Sequence, residues 1–331
     1  MRAMLLSHAQ PVEDAPLHLK ELPTPTPGPH QVRLRIRCCG LCHTDLHTVE
    51  GDLPLPKLPL VPGHQIVGIV DAIAPQVHRF KEGDRVGVPW LYSTDQTCAY
   101  CRRDLENLCD HARFTGYHVD GGYAEAVIVH EDYAYPIPKV FSDENAAPLL
   151  CAGIIGYRSY RLSGISERER LGLYGFGASA HIVLQMARHQ GKEVYVFTRA
   201  AIHQALARRL GAAWVGDAQD TPPQSLDAAI IFAPAGALVP QALRALAKAG
   251  TLTLAGITMS AIPQMDYSLL YEERVIRSVA NSTRRDAQEF LELAAEVPVT
   301  TEIRTYNLDQ ANQALQDLKH SRLEAAGVLR I

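Results

Sequence analysis

The second half of the chain alternates short apolar runs with helical stretches, and this alternation restricts it to a few topologies. The strand-like runs are Leu171–Tyr174, Val194–Thr198, Ala228–Ala233 and Thr251–Ala255. The helical stretches between them are Ala180–Gln190, Ile202–Leu210 and Val239–Ala249. Strands that alternate with helices form a parallel sheet with crossover helices. We therefore expect a doubly wound α/β domain in this part of the chain.

A glycine-rich turn joins the first of these strands to the first helix. Gly175 to Ala180 has the pattern G-x-G-x-x-A, in which the first glycine permits a tight turn and the second lets a pyrophosphate approach the backbone. A helix that starts near Ala178 would present its N-terminal amides to the phosphates. Such a turn also occurs in other α/β proteins, but the next strand ends about 20 residues on, as a dinucleotide site requires. The predicted dinucleotide contacts are Gly175, Gly177, Ala178, Ser179, Thr198, Arg199 and Ile257.

The end of the second strand bears on which dinucleotide is bound. An acidic residue there would hold the ribose 2′-hydroxyl of NAD(H), but this chain has Thr198 followed by Arg199. A hydroxyl beside a guanidinium suits a 2′-phosphate, so the sequence favours NADP(H) over NAD(H). The alternative is that Arg199 is a solvated surface residue and that NAD(H) binds loosely.

Composition excludes several classes of partner. The 331 residues carry a formal net charge of -4, with acids and bases interspersed, so we expect neither nucleic-acid nor membrane binding. No apolar run approaches the ~20 residues of a membrane span. Residues 1–16 lack the apolar core and cleavage site of a secretory signal, and we expect a cytoplasmic location.

The first half of the chain reads as a β-rich region and contains all seven cysteines. Residues 32–37 alternate apolar and polar side chains, and further strand-like runs occur at Ile66–Ile73 and Tyr123–Val129. The stretch 93–111 reads as a polar loop. Seven clustered cysteines in a long cytosolic chain indicate metal binding rather than disulfides. Cys42, His64 and Cys151 together would give a Cys₂His set with one open tetrahedral position, the composition of a catalytic zinc site.

Over essentially its whole length the chain resembles the zinc-dependent medium-chain alcohol dehydrogenases. The matching segments are 40–47, 51–56, 62–64, 83–87, 121–125, 151–153, the glycine-rich turn and 278–286. The resemblance implies a GroES-like β-rich catalytic domain, formed by residues 1–153 and 292–331. It also implies an inserted Rossmann domain at residues 154–291, with the active site in the cleft between the two.

The resemblance also implies roles for individual residues. Cys42, His64 and Cys151 match the catalytic zinc ligands, and Asp45 matches the carboxylate that orients the zinc-binding histidine. Thr44 matches the hydroxyl that hydrogen-bonds the substrate oxygen, His47 the outer end of the proton relay, and His43 a position near the cofactor pyrophosphate. Trp90 matches an aromatic residue of the substrate pocket, although a tryptophan after a strand is more often core. Leu53 stands where small-alcohol enzymes often carry tryptophan, so we expect a wider pocket.

Two positions depart from the family pattern. Gln65 replaces the glutamate that usually follows the ligand histidine, which puts exchange of that carboxylate onto zinc in doubt. Asp95 replaces the first of four loop cysteines, while Cys98, Cys101 and Cys109 keep the spacing. A carboxylate is a legitimate but harder zinc ligand, so we expect a structural zinc on Asp95 and the three cysteines. The alternative is a weakened or vacant site in a loop held by packing.

The resemblance implies reversible hydride transfer between primary alcohols and NAD(P)⁺, with medium-length or aromatic alcohols preferred because of Leu53. It also implies a homodimer or homotetramer built on the Rossmann domain. Two other classes stay open: a zinc-independent quinone or enoyl reductase of the same superfamily, and a cofactor-binding regulator without catalysis. The zinc-ligand and relay residues argue against both.

Overall fold

The computed structural model describes residues 1–166, 169–297 and 299–331. This part of the chain divides into two compact units. The first consists of Met1–Cys151, Ser282–Ala295 and Thr301–Ile331, and the second of Ala152–Asn281 and Glu296–Thr300. From the sequence we expect the chain to re-enter the first unit at residue 292, whereas in the structure it re-enters that unit at Ser282. The reason is that the helix beginning at Arg284 is bonded at its N-terminus to Glu106 of the first unit.

The first unit is rich in β-structure. Its strands are β1 (Arg2–Leu6), β2 (Leu17–Glu21), β3 (Gln31–Leu41), β4 (Gln65–Ile73), β5 (Arg85–Val88), β6 (Leu91–Ser93), β7 (Arg113–Phe114), β8 (Ala126–His130), β9 (Tyr135–Pro136), β16 (Ile303–Asn307) and β17 (Ala326–Arg330). The largest sheet has the order β16-β17-β3-β4-β5-β9, with β8 also paired to β3. Strand β3 is its centre, because it pairs antiparallel with β4, β8 and β17.

Strand β3 buries alternate side chains, as the period-two pattern of its sequence predicts. Val32, Leu34 and Ile36 point into one apolar core together with residues of β1, β4, β5 and β8. The strand then continues through Cys38 and Cys39, both buried, to the start of the first helix. A central, hydrogen-bonded strand thus holds the segment that carries the candidate metal ligand Cys42.

Four helices begin in the same unit. They are α1 (His43–Glu50), α2 (Asp143–Ala146), α7 (Arg284–Glu296) and α8 (Ala311–Lys319). The single-turn 3₁₀ helices of the described chain are Val12–Asp14, Cys101–Arg103, Glu106–Leu108, Glu131–Tyr133, Ala147–Leu150, Tyr267–Leu269 and Leu308–Gln310. Two of them interrupt the cysteine-rich stretch that the sequence presents as a loop.

The second unit is a parallel sheet with crossover helices, as the alternating pattern predicts. Its strands are β10 (Arg170–Tyr174), β11 (Glu193–Phe197), β12 (Trp214–Gly216), β13 (Leu226–Ile231), β14 (Leu246–Leu254) and β15 (Val275–Ser278). Its helices are α3 (Ala152–Leu162), α4 (Ala178–His189), α5 (Ala201–Arg209) and α6 (Leu238–Ala245). The strand order is β12-β11-β10-β13-β14-β15, and all five pairings are parallel. This is the doubly wound order of dinucleotide-binding domains.

One helix is shorter than its sequence predicts. The stretch up to Ala249 was expected to be helical, but α6 ends at Ala245 and Leu246 begins β14. Leu246 pairs with Leu226 of β13, and the register shifts before Ala228 pairs with Thr251. Long-range pairing therefore overrides the local helix propensity of the alanines and Lys248.

No helix in the described part of the chain combines the length and the apolar character that a bilayer crossing demands.

Candidate active site and metal centres

Cys42 lies where β3 ends and α1 begins, and its side chain caps the helix. The Cys42 Sγ accepts the main-chain N–H of Thr44 at 3.2 Å, while the Asp45 carboxylate accepts the N–H of Cys42 at 2.9 Å. This reciprocal arrangement is a capping box in which a thiol takes the place of the usual hydroxyl. The partial positive charge at a helix N-terminus favours the thiolate that a metal ligand must provide.

His64 reaches Cys42 because β4 pairs with β3. Gly40 pairs with Gln65, so His64 lies beside the end of β3. Its Nε2 is 3.2 Å from the Sγ of Cys42, and its Nδ1 is 2.9 Å from the Asp45 carboxylate. His64 and Asp45 are each 1% exposed, so this contact lies in the interior. The carboxylate fixes the ring with Nε2 toward the cysteines, which is how outer groups orient metal-binding histidines.

Cys151 completes the cluster from a distant part of the chain. It follows the 3₁₀ turn Ala147–Leu150, and its Sγ lies 3.9 Å from that of Cys42. The ligand atoms of Cys42, His64 and Cys151 all lie within 4.8 Å of one another. Two thiol sulfurs and one imidazole nitrogen at this spacing fit a tetrahedral zinc ion with one position left for another ligand.

Electrostatics in this cluster favour a charged cysteine. Burial would raise the pKa of the Cys42 thiol, but a hydrogen bond from Cys151 and the proximity of His64 hold that pKa well below its ordinary value. Burial would lower the pKa of His64, but the Asp45 carboxylate and Cys42 raise it well above the ordinary value. The cluster therefore already stabilises the thiolate form of one cysteine, as a ligand for a divalent cation requires.

Helix α1 carries the other residues that the sequence assigned to the reaction. Thr44 is buried beside Cys42, and its main-chain oxygen accepts the hydroxyl of Thr48 at 2.7 Å. His47 lies one turn further on, so the two side chains share a helix face. His43 is exposed at the first turn, with its ring centre 6.4 Å from that of His47. The His47 Nδ1 is 2.8 Å from the carboxylate of Asp52, a partner that the sequence pattern does not predict.

Gln65 lies on β4 directly after the ligand histidine. Its side chain packs on the backbone of Gly40, where an added Cβ would come within 3.1 Å of it. The Nε2 of Gln65 is buried and has no hydrogen-bond partner among the described residues. The amide at this position is thus an unsatisfied donor next to the metal ligands.

The cysteine-rich loop brings a second set of ligands together. The ligand atoms of Asp95, Cys98, Cys101 and Cys109 lie within 4.8 Å of one another. The Oδ1 of Asp95 accepts the main-chain N–H groups of Thr97 at 2.8 Å and Cys98 at 2.9 Å. These two hydrogen bonds lower the pKa of Asp95, so the carboxylate stays ionised. Three sulfurs and one carboxylate oxygen fit a closed tetrahedral zinc site.

A cluster of aromatic side chains lies beside the ligand set of Cys42, His64 and Cys151. The Trp90 ring centre is 6.0 Å from that of His64, and Trp90 stacks on Phe114 at 4.2 Å. Leu53 is half-buried in the segment after α1. The sequence does not predict Phe114 as a neighbour of Trp90. The two side chains meet through the pairing of β7 with β6, and a local sequence pattern does not record that pairing.

The glycine-rich turn of the second unit has the geometry that its sequence predicts. Gly175 has φ of 84°, and an added Cβ would lie 3.0 Å from Ala233, so this position requires glycine. A Cβ at Gly177 would meet nothing within 4 Å, which leaves open space at the N-terminus of α4. A phosphate could approach the backbone there.

Ala178 and Ser179 begin helix α4, and the three other residues of the second unit that were predicted to contact the dinucleotide lie at the carboxyl ends of strands of the same sheet. Thr198 follows β11 and is buried, and its main-chain oxygen accepts the side-chain amide of Gln204 at 2.8 Å. Arg199 is exposed and forms no ion pair within the described residues. Ile257 follows β14 and is 46% exposed. Ligands of doubly wound sheets bind at these strand ends.

Comparisons with known proteins agree with this geometry. A family model described as the alcohol dehydrogenase GroES-like domain matches residues 28–139, and one described as zinc-binding dehydrogenase matches residues 180–296. A probable alcohol dehydrogenase, AdhA, of Mycobacterium tuberculosis (strain CDC 1551 / Oshkosh) is 46% identical over 337 residues, which cover 100% of this chain and 97% of that protein.

Two solved structures share the fold of the whole chain. The cinnamyl alcohol dehydrogenase structure from Sorghum bicolor has a TM-score of 0.90 and 25% identity, over 99% of this chain and 97% of its own. The structure of CAD from Helicobacter pylori complexed with NADP(H) has a TM-score of 0.88 and 25% identity, over 100% of this chain and 99% of its own.

The fold, the ligand clusters and the relatives lead to one assignment. The first unit is a GroES-like domain and the second a Rossmann domain. The chain is an oxidoreductase with alcohol dehydrogenase or aldehyde reductase activity on small molecules. It belongs to the zinc-type medium-chain alcohol dehydrogenase family.

Proposed function

We propose that the protein interconverts primary alcohols of medium length or with an aromatic ring and their aldehydes. The observation that carries this proposal is the cluster of Cys42, His64 and Cys151, with Thr44 beside Cys42 and the Trp90 ring beside His64. A zinc ion bound there would supply Lewis-acid stabilisation of negative charge on an alcohol oxygen, and a bound dinucleotide would accept or donate the hydride.

The protein residues have separate tasks in this proposal. Asp45 holds His64 in the orientation that presents Nε2 beside the two cysteines. The Thr44 hydroxyl hydrogen-bonds the substrate oxygen and accepts its proton while releasing its own toward His47, which takes up a proton and passes one on to water. Proton transfer by a positioned side chain contributes about 10²–10⁴-fold to rates of this kind.

The substrate class follows from the residues near the cluster. Trp90 and Phe114 provide a flat apolar surface that suits a phenyl ring or an alkyl chain. Leu53 occupies less volume than tryptophan would, which favours substrates longer than ethanol. The names of the relatives include cinnamyl alcohol dehydrogenases, whose named substrate carries a phenyl ring.

NADP(H) is the dinucleotide that we propose the protein prefers. Thr198 and Arg199 follow β11 without a carboxylate to repel a 2′-phosphate, and the exposed Arg199 guanidinium forms no ion pair within the described residues. The Helicobacter pylori relative was solved with NADP(H). NAD(H) could also bind through the glycine-rich turn, because the turn contacts only groups that the two dinucleotides share.

We also propose a structural zinc ion, a homo-oligomer and a reducing compartment for this protein. Asp95, Cys98, Cys101 and Cys109 hold a structural zinc ion, because the four donors already lie together. The chain forms a homodimer or homotetramer through the Rossmann unit. The edge strand β15 supports an interface in this unit, since Val275 on it is exposed and the exposed rings of Tyr267 and Tyr271 precede it.

All seven cysteines are unpaired, which fits a reducing compartment such as the cytoplasm.

One experiment separates this proposal from its rivals. The zinc content per chain is measured together with rates on a panel of aldehydes, from acetaldehyde to cinnamaldehyde, with NADH and with NADPH. We expect bound zinc, faster reduction of the longer aldehydes, and a higher kcat/KM for NADPH. Turnover without zinc would indicate a quinone or enoyl reductase, whereas dinucleotide binding without any turnover would indicate a regulator. A steep fall in rate beyond acetaldehyde would refute the proposed substrate class.

A further inference from the structure

We propose that Tyr117 is a positioning residue that sets the width of the proposed substrate site, because it holds the segment with Leu53 beside the Trp90 ring. This inference rests on the proposed function, since the substrate class is part of it. The Tyr117 hydroxyl donates a hydrogen bond to the main-chain oxygen of Pro54, the residue after Leu53. The ring centre of Tyr117 is 6.5 Å from that of Trp90. One side chain thus joins the segment after α1 to the aromatic cluster.

The loop that carries Tyr117 is fixed at its base next to a metal ligand. Gly116 and Gly121, on either side of Tyr117, both pack backbone to backbone on Gly63. A Cβ added at Gly116 would lie 2.7 Å from the nitrogen of Gly63, and one at Gly121 would lie 2.0 Å from its oxygen. Because Gly63 directly precedes the ligand His64, this loop has a fixed position relative to the metal cluster.

Neighbouring rings orient the Tyr117 side chain. The ring planes of Tyr117 and His118 meet at 86°, with their centres 4.8 Å apart. His118 is bonded twice to Phe114: its N–H donates to the Phe114 main-chain oxygen at 2.9 Å, and its Nδ1 accepts the Phe114 N–H at 3.3 Å. Phe114 in turn stacks on Trp90. The Tyr117 ring is therefore held by the same cluster that flanks the ligand histidine.

A second contact from the same loop restrains the same segment. The described residues 51–64 form neither helix nor strand between α1 and β4, so side-chain contacts help to set their path. The Asp120 carboxylate forms an ion pair with Lys57 and accepts the main-chain N–H of Val61 at 3.0 Å. This pair restrains the later part of the segment, while Tyr117 restrains the part next to α1.

In the proposed function, the two groups that Tyr117 joins bound one space. The Trp90 ring centre is 6.0 Å from that of the ligand His64, and the half-buried Leu53 adjoins Pro54. A substrate whose oxygen is bound at the metal ligands extends its apolar part along Trp90. A phenyl ring needs both walls to leave water, whereas acetaldehyde has little apolar surface to bury against them. The Tyr117 hydroxyl therefore favours ring-bearing substrates over short ones.

Two substitutions separate the hydrogen bond from the ring. Tyr117→Phe keeps the ring beside Trp90 but removes the hydroxyl, whereas Tyr117→Leu removes both. Tyr100→Phe, at an exposed tyrosine of the same unit, is the matched control. Reduction of acetaldehyde and of cinnamaldehyde is measured with the zinc-loaded full-length protein. Acrylamide quenching of Trp90 fluorescence follows the segment without any turnover, in a Trp214→Phe background that leaves Trp90 as the one tryptophan.

We expect Y117F to raise the KM for cinnamaldehyde about fivefold with kcat unchanged, the size of one lost hydrogen bond. Both constants for acetaldehyde should stay as in the wild type. Y117L should raise the KM for cinnamaldehyde further, and acrylamide should quench Trp90 more strongly in both variants. Adding Y117F to Leu53→Ala should cost little more, because the wall that Tyr117 holds is then already lost. Y100F should match the wild type in every measurement.

The outcomes are distinguishable. An unchanged KM for cinnamaldehyde in Y117F, an equal loss with both aldehydes, unchanged quenching, or full additivity of Y117F and L53A overturns the role of Tyr117. If the wild type reduces cinnamaldehyde no better than acetaldehyde, the substrate class in the proposed function fails, and this inference fails with it. If the wild type prefers cinnamaldehyde and Y117F keeps that preference, the proposed function stands and only the inference about Tyr117 is refuted.

Discussion

Glu106, in the cysteine-rich loop, accepts the main-chain N–H of Arg284 at 2.8 Å, a contact that spans 178 residues of sequence. Arg284 is the first residue of α7, and the first N–H groups of a helix have no partner within it. Thr283 and Asp286 satisfy two further N–H groups by bonding to one another. The loop with the proposed structural zinc thus supplies part of the N-terminal cap of α7.

Removing this cap should destabilise the first unit. We expect Glu106→Ala to lower the free energy of unfolding by about 1–3 kcal/mol, because the Arg284 N–H then loses its acceptor in a buried place. Glu106→Gln, which keeps an acceptor, should cost less. Urea denaturation measures both, with the exposed Glu82→Ala as the control. Equal midpoints for E106A and E82A would show that the contact contributes nothing.

The catalytic cluster should depend on each of its sulfurs. We expect Cys42→Ser to lose the zinc ion at that cluster and to lower turnover by roughly a thousandfold, because Lewis-acid stabilisation is worth several kcal/mol. Far-UV circular dichroism should stay unchanged. Cys38→Ser is the matched control, since Cys38 is buried on β3, the strand that leads to Cys42, but belongs to neither ligand cluster. Near-normal turnover by C42S with its zinc lost would contradict the metal assignment.

Asp95 should act both as a turn former and as a ligand. Asp95→Asn keeps an oxygen for the N–H groups of Thr97 and Cys98 but lacks the charge that a zinc ligand needs. We expect D95N to lose the loop zinc ion while the ion at Cys42 is retained, as measured by metal analysis after dialysis. Asp110→Asn, an exposed acid next to Cys109, should keep both ions. Unchanged zinc content in D95N would mean that the three cysteines suffice.

Arg199 should set the dinucleotide preference. A hydrogen bond to a charged group is worth about 1.5–3 kcal/mol, so Arg199→Ala should lower kcat/KM for NADPH by about thirtyfold and leave that for NADH nearly unchanged. Arg208→Ala removes an exposed arginine from the last turn of α5 and serves as the control. Equal losses with both dinucleotides would show that Arg199 does not bind the 2′-phosphate.

Asp317 should make part of the stability depend on pH. Burial would raise the pKa of Asp317, but hydrogen bonds from Tyr306, Gln313 and Arg322 lower it below the ordinary value. A depressed pKa contributes stability above the unfolded pKa of about 3.9, and this contribution disappears as the pH falls through the folded pKa. Asp317→Asn should therefore be about 2–3 kcal/mol less stable at pH 7, with a gap that narrows below pH 4. Urea midpoints against pH test this, with Asp309→Asn as the control, and a constant gap would contradict it.

Sequence alone predicts the second unit well because its signals are local. The strand before Gly175 and the helix after it are periodic, and a parallel sheet with crossover connections has few possible orders. The predicted end of α6 was wrong because it depends on a contact that is distant in sequence. Residues 246–249 have helical propensity, but their pairing with β13 is a long-range interaction that a local pattern does not record.

The candidate site likewise contains residues that the sequence predicts and contacts that it does not. The family resemblance of the segments around Cys42, His64 and Cys151 identifies these residues as a ligand set, and the structure brings their ligand atoms together. The contact between Asp52 and His47 depends on the left-handed turn at Gly51, and that between Trp90 and Phe114 on the pairing of β6 with β7. Neither contact follows from a motif, because each depends on how two segments meet.

The two ligand sets differ in how much of the chain must be made before each is complete. All four loop ligands lie between Asp95 and Cys109, whereas Cys42 and Cys151 are 109 residues apart. A growing chain that leaves the ribosome from its N-terminus could therefore load the proposed loop ion while the active site still lacks a ligand, because Cys151 emerges last. A chain arrested between these two points would hold zinc and yet be inert, so metal content alone is a poor measure of how much finished enzyme a cell contains.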